Sequence, residues 1–474
     1  MRSHLLPAHL LLALPSVALV GACTVGPDYH APEPRIAAAW TSPAVAGAVD
    51  EGAWWTALGD PLLDTLIDEM MAQSPTLREA TARIAEARAA SDAVRGTTGP
   101  QAQLSGSASE TMLSKNGQFP VGSIPGFARE FPLFDLGFDA SWELDLWGRR
   151  TRSIEAATAR TGQAEMAAQG IRLQLIAELA RAYVQLRLAQ RETALATESL
   201  DAWQSLETLT VLRERAGEGS RVETERAGSD TANARAVLAN AEAGERAAAL
   251  RIAALVGVEP SAMLPRLSGS GAIPAPPTAI AAGLPSELLR RRPDIRGAER
   301  DLAGAIADVG VATADLFPRL RLGFGIGQQA RAIGDLFSGD STRLQAGPGL
   351  AWPIFSGGST RARIRVAGAK VDQAAARYDA AVIGALSDSE TAINRFDRAL
   401  AALSASDAAL KRDEAGFELA SRRSAAGEDD RLALARARLA RIQALQRNAQ
   451  IRAAATEAAI ALNKALGGGW NSAG

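Results

Sequence analysis

One property constrains this chain more than any other: it repeats itself. Trp142 and Trp352 lie 210 residues apart, as do Gly148 and Gly358, Gly217 and Gly427, and Gly257 and Gly467. The neighbouring residues agree, with Ala254-Leu255-Val256-Gly257 against Lys464-Ala465-Leu466-Gly467. Four landmarks at one offset across a gapless stretch mark a duplication, and such self-similarity takes precedence over other fold signals. Upstream of the tryptophans the register slips. Pro100 precedes its tryptophan by 42 residues and Pro318 by 34, so the first copy carries the longer loop. Pro265, Pro274, Pro276, Pro277 and Pro285 mark the joint. The spacing therefore predicts repeat 1 over 59–257, a Pro/Gly-rich linker over 258–285, repeat 2 over 286–467 and a short tail over 468–474.

Each copy reads in the same order. A helix (about 60–96 and 286–315) leads into a Gly- and Phe-rich segment without helical period (100–146 and 318–356). A long helical stretch follows, Arg149 to Gly217 and Ser359 to Gly427, and a second helix returns over 220–256 and 430–466. No proline occurs between Pro132 and Pro260 or after Pro353. Leu175, Leu179, Ala182 and Leu186, and again Leu432, Ala435, Leu439 and Ile442, step by three and four, as coiled-coil-like helices do. At about 1.5 Å per residue the long stretches would extend roughly 100 Å, which favours a tube or rod. Composition supports this reading. Of 474 residues 101 are alanine, so nearly half of the 47% hydrophobic content is methyl side chains, and aromatics are 5%. A compact enzyme of this length would carry about three large-residue cores.

Scarce residues exclude whole classes of chemistry. The single cysteine is Cys23 and the histidines are His4, His9 and His30, so zinc clusters, disulfides, Cys nucleophiles and Ser-His-Asp catalysis lack their residues. No catalytic residue, metal site or cofactor is expected, and the chain does not read as an enzyme. Its 51 basic and 53 acidic residues leave a net charge of −2, with no field to attract nucleic acid. Arg2, an apolar run from Leu10 to Val20 and then Gly21-Ala22-Cys23 describe an export signal over 1–22. The only cysteine directly after two small residues points to lipidation at Cys23, followed by an extended, lipid-anchored segment over 23–58. Each buried methylene of an acyl chain adds about 0.8 kcal/mol of anchoring. No later run reaches the ~18 apolar residues of a membrane helix.

Eight of the eleven phenylalanines fall in the two non-helical segments and Phe317 borders the second, among alternations such as Leu320-Arg321-Leu322-Gly323-Phe324. Membrane strands need ~9–11 alternating residues, and each segment accommodates two strands and a loop. Soluble hairpins would share the pattern; export and lipidation favour the membrane. Four strands cannot close a barrel, and an open edge is forbidden in lipid, so chains must pool strands, two giving eight and three giving twelve. Gly325-Ile326-Gly327-Gln328-Gln329-Ala330 fits a loose dinucleotide-binding pattern but has neither βαβ context nor the following acid. No phosphate-binding loop occurs either, so energy must come from a partner.

Several motifs together give the chain a specific resemblance. They include Cys23-Thr24-Val25-Gly26-Pro27-Asp28-Tyr29, Trp54-Trp55 ahead of Gly59-Asp60-Pro61-Leu62, and Ser141-Trp142-Glu143-Leu144-Asp145-Leu146-Trp147-Gly148. Further along are Leu284-Pro285-Ser286-Glu287-Leu288-Leu289-Arg290-Arg291-Arg292-Pro293-Asp294-Ile295, Leu316-Phe317-Pro318, Pro353-Ile354-Phe355-Ser356-Gly357-Gly358 and Ala465-Leu466-Gly467-Gly468-Gly469-Trp470. In order and spacing these resemble the TolC-like outer membrane factors, in particular the NodT-type lipoproteins of tripartite efflux systems. The resemblance implies a mixed α and β membrane protein. A homotrimer would form a twelve-stranded outer-membrane β-barrel, four strands per chain, continued by a twelve-helix periplasmic α-barrel with a constricted tip. It also implies a periplasmic membrane-fusion adaptor and an inner-membrane pump of the resistance-nodulation-division (RND) type, with the channel conducting passively.

The same resemblance places the turn glycines Gly217 and Gly427 at the periplasmic tip. Glu218, Arg221, Asp429, Asp430 and Arg431 become gate candidates, because threefold symmetry turns each axial carboxylate into a ring. The alternative is that an acid here caps the next helix. Ser424 and Arg436 stand where the family usually has an aromatic and an aspartate, so the lock differs in detail. Trp142, Trp147 and Trp352 mark the periplasmic membrane interface, where aromatics settle. Arg290-Arg291-Arg292 reads as a structural helix flank rather than a polyanion site. Two other functions share parts of this pattern, the outer membrane channel of a type I protein secretion system and a non-conducting envelope scaffold.

Overall fold

The computed structural model describes residues 24–45, 47, 52–114, 126, 128–428 and 430–469. The export signal, Cys23, Asp429 and Trp470 lie outside them. The described residues form two compact units.

The first unit, residues up to 32 with 85–163 and 298–377, holds the sheet. Strands β1 (Gln101–Met112), β2 (Glu130–Leu144), β3 (Arg319–Ala330) and β4 (Thr342–Ala351) form one antiparallel sheet in the order β1-β2-β3-β4. Each Phe-rich segment is thus a hairpin, and the two hairpins pair through β2 and β3. β1 and β4 leave their outer edges without a strand partner among the described residues.

The second unit, residues 33–84, 164–297 and 378–474, is helical, and four of the helices have one end in the first unit's residues. The chain enters it through a 3-10 turn at Trp54–Leu58, followed by α1 (Pro61–Gln73) and α2 (Pro75–Thr97). α3 (Arg149–Arg215) and α4 (Arg221–Val256) form the first long pair. Short helices α5 (Pro260–Leu267) and α6 (Leu288–Arg291) precede α7 (Pro293–Ala314), and α8 (Ser359–Ala425) and α9 (Arg431–Ala465) form the second pair. α3 and α8 each run 67 residues and start and stop at the same 210-residue offset as the glycines. At about 1.5 Å per residue each is roughly 100 Å long.

Three features depart from the sequence expectation. The first helix of each copy is interrupted, at Ser74 before Pro75 and at Arg292 before Pro293. A proline lacks the N–H needed to continue a helix and disfavours helical geometry in the residue before it, but it suits a new first turn. Residues 258–285, expected as a Pro/Gly-rich linker, also carry a helix, because Pro260 starts α5 there. Finally, the segment expected to be extended over 23–58 ends in the 3-10 turn, where Trp54 and Trp55 pack edge to face in the core.

That core joins Leu63, Leu66, Ile67 and Met70 of α1 to Ile176, Leu179, Tyr183 and Leu186 of α3, Ile252 and Val256 of α4, and Met263 of α5. Asp60 organises one side of it. One carboxylate oxygen caps α1 at the Leu62 and Leu63 N–H groups, and the other accepts from the Tyr183 hydroxyl at 2.7 Å. The Tyr183 hydroxyl in turn accepts from the buried Arg187 at 2.7 Å, and Arg187 donates on to the Gly269 carbonyl. Burial, then the bond to Asp60, drives the Tyr183 pKa upward. A second cluster joins Leu195, Ala202 and Leu206 of α3 with Ala227 of α4 and Ala435, Leu439 and Ile442 of α9. The three-and-four steps read from the sequence are therefore the buried seam.

Candidate functional site

Side chains alternate across a strand, and partners in register share a face. One face of the sheet is apolar over its middle and helix-proximal rows, with Gln328, Thr342, Glu110 and Glu130 appearing only toward the hairpin loops. Leu104, Phe138, Ile326 and Leu344 stand in one row across all four strands. Adjacent rows carry Ala102, Ala140, Phe324 and Ala346 on one side, and Leu136 opposite Gly106 on the other. Leu144, Leu320 and Leu350 continue the surface. Leu104 is 74% exposed, Leu344 66% and Leu350 70%, so nothing among the described residues covers this face. In water such a surface is costly at about 25 cal/mol per Å², whereas in hydrocarbon it is at rest.

The opposite face is polar. It carries Gln103, Asp139 and Gln345 in one row, Ser107, Asp135 and Gln329 in another, and Glu143 beside Arg321. Arg343 reaches across the sheet to hold Asp135 with two bonds, at 2.8 and 3.1 Å, while Gln329 donates to the same carboxylate at 2.8 Å. Here the Gly325-Ile326-Gly327 motif finds its use. A Cβ at Gly327 would lie 2.9 Å from the Gly137 backbone, and one at Gly137 would meet the Arg343 guanidinium at 2.6 Å. The glycines make room for charged side chains lying flat on the sheet.

The three expected interface tryptophans gather at the helix-proximal end of the strands. Trp142 is on the apolar face opposite Leu322. Trp147 stacks on Phe317 at 4.7 Å and donates to the Pro318 carbonyl at 2.8 Å. Trp352, just past β4, donates to the Leu316 carbonyl at 3.0 Å. Two indoles from different copies thus grip the same α7–β3 passage.

The segment following Cys23 docks beside them. Val25 N–H donates to the Trp147 carbonyl at 3.1 Å, and Thr24 packs so closely on Gly148 that a Cβ there would lie 2.6 Å from it. Asp28 pairs with Arg152 at 2.5 Å, and the Tyr29 hydroxyl donates to Glu299 at 2.7 Å. The role of each residue in the post-cysteine motif escaped sequence reasoning, since its partners lie over a hundred positions away.

At the other candidate site, both turn glycines hold a left-handed backbone, Gly217 at φ 76° and Gly427 at φ 77°. Glu218 is exposed, and its N–H donates to the Arg213 carbonyl at 2.9 Å. Arg221 faces Glu225 at 3.6 Å. Asp430 caps α9, accepting from Ala433 N–H at 2.7 Å, and Arg431 beside it is exposed. Ser220 and Glu223 form a reciprocal capping box on α4, and Glu428 faces Arg423 at 3.6 Å. None of these last four had been singled out, although S-x-x-E is a readable capping signal. Asp429 lies outside the described residues. The triple arginine is structural, with Arg292 bound to Asp294 at 2.6 Å, to Asp388 at 3.4 Å and to the Ala465 carbonyl at 3.2 Å.

No described helix is long and apolar enough to cross a membrane. Comparison with known proteins accords with the sheet geometry. The chain is 30% identical to the pyoverdine export outer membrane protein OpmQ of Pseudomonas putida over 98% of both chains. It is also 30% identical to nodulation protein T of Rhizobium leguminosarum bv. trifolii over 80% of both. The solved outer-membrane channel OprN superposes with a TM-score of 0.83 at 34% identity, covering 94% of this chain and all of that one. The fold class is that of the trimeric outer-membrane efflux channels, a β-barrel strand set continued by a helical barrel. With residues 66–258 and 284–468 both matching its sequence profile, the chain belongs to the outer membrane efflux protein family.

Proposed function

We propose that this protein is the outer-membrane exit duct of a tripartite efflux pump, passing small toxic molecules or drugs outward without doing work on them. The observation that carries this is an apolar face left uncovered, on a sheet whose β1 and β4 edges have no strand partner, among the described residues. The three chains of a homotrimer, the repeats 59–257 and 286–467 of each supplying one hairpin apiece, join β1 to the next chain's β4 and close a twelve-stranded barrel. The apolar face then meets outer-membrane lipid and the polar face lines the conduit. Acyl chains on Cys23 anchor each chain. The residue after Cys23, Thr24, packs on Gly148 where β2 passes into α3. A periplasmic adaptor and an RND-type inner-membrane pump supply cargo and energy. At the helix turns, Asp429, Asp430 and Glu218, with Arg221 and Arg431, restrict the resting tip.

Purified protein is expected to run as a heat-sensitive trimer, to conduct in a planar bilayer and to bring adaptor and pump out of membrane extracts. A monomer without conductance overturns the duct. Asparagine caps a helix as well as aspartate does, so Asp429→Asn with Asp430→Asn removes charge while keeping α9 capped. Higher single-channel conductance is expected; unchanged conductance dismisses the acids as a gate.

A further inference from the structure

The polar face of the sheet ends in a cleft of about 410 Å³ at the strand-to-helix passage, bordered by the end of α2, the end of β2, the start of α3 and Arg321 of β3. That volume falls within the ~300–1,000 Å³ of small-molecule sites. Its charges do not cancel locally. Arg149, Arg150 and Arg321 line it together with only two acids, Glu143 and Asp145.

Asp145 is fully engaged elsewhere. Its two oxygens accept from the Arg150 and Thr151 N–H groups and the Thr151 hydroxyl, at 2.7–2.9 Å, and so cap the start of α3. Glu143 is shared at long range, 3.7 Å from Arg149 and 3.5 Å from Arg321. Asp315 also approaches Arg149 at 3.6 Å, but its shorter bond goes to Arg319. The guanidinium of Arg150 has no carboxylate within ion-pair distance among the described residues, and its Nε is buried without a hydrogen-bond partner. Buried donors nearly always find acceptors, so an orphan of this kind calls for explanation.

We propose that the cleft is a docking point for carboxylate groups of the cargo, with Arg150 and Arg321 as its two arms. This rests on the reading of the polar face as the conduit wall. The planar guanidinium matches a carboxylate with two parallel hydrogen bonds, and the charge of Arg150, which lines the cleft and is paired with no carboxylate among the described residues, is what such a group neutralises. An anionic solute moving through the duct would pause here, between helical and stranded walls.

The test is citrate block of single-channel current through the full-length trimer in a planar bilayer. Citrate is expected to block the wild type. Arg150→Gln and Arg321→Gln each weaken the block about fivefold, as loss of a charge-assisted bond predicts. Arg343→Gln, elsewhere on the same face, leaves it unchanged. Equal loss in all three variants would make the block a property of overall wall charge and overturn the docking point, as would no loss in any. If Arg150→Gln fails to assemble, Arg321→Gln decides, because its side chain is 62% exposed and supports no packing. Absence of any conductance in the wild type defeats the duct reading instead.

Discussion

Arg152 is only 4% exposed, and it holds the segment after Cys23 in place. It donates to Asp28 at 2.5 Å, to Glu155 at 2.9 Å and to the Val25 carbonyl at 3.4 Å. The hydrogen bond from Arg152, reinforced by its charge, lowers the Asp28 pKa below its ordinary value. A carboxylate with a depressed folded-state pKa stabilises the docked form above the unfolded value of about 3.9 and loses that contribution as pH falls through the folded value. Docking should therefore be constant from pH 5 to 8 and loosen only in stronger acid. Hydrogen exchange over residues 24–32 is expected to stay slow in the wild type at pH 7 and to quicken in Asp28→Asn. Equal protection in the two proteins would mean that the ion pair does not hold the segment. The motif itself was plain in the sequence as Thr24-Val25-Gly26-Pro27-Asp28-Tyr29. Its partner was not, because Arg152 is one of 47 arginines and nothing local singles it out.

At the scale of elements, the duplication was legible almost to the residue. α3 and α8 span 149–215 and 359–425, and the paired glycines 148/358, 217/427 and 257/467 all take positive φ between 76° and 83°. Only glycine enters that region without strain, so a repeat in backbone geometry is a repeat in glycine. Gly427→Ala is accordingly expected to destabilise its turn by about 1 kcal/mol. Gly416→Ala, inside α8 with open space around the site, should instead stabilise by about 0.5–1 kcal/mol through helix propensity. Thermal melting followed by circular dichroism separates them, and shifts of the same sign would refute the difference in backbone role. Helix ends were less legible. One helix was expected across Ser74 and one across Arg292, and only the prolines that follow mark the breaks.

For the whole molecule, the outcome depends on which sheet face meets lipid. Ile326 stands mid-strand in the apolar row, and Gln345 occupies the opposite face. Ile326→Arg should cost about 2–4 kcal/mol if it reaches the bilayer midplane, whereas Gln345→Arg should cost little. Urea titration of trimers in lipid vesicles measures both, and equal costs would exclude a lipid-facing side. What the sequence determined by itself was the duplication and, within each copy, local features: helical and strand periods, turn glycines and proline stops. These follow from backbone geometry and from residues within a turn or two of each other. The tertiary structure decided which polar groups are already occupied. Asp430 and Asp145 cap helices, while Asp28 finds Arg152 at a separation of 124 residues and Asp135 finds Arg343 at 208. Arg150 is left with a buried donor unmatched. Pairing is a property of distance in space, and no period along the chain encodes it.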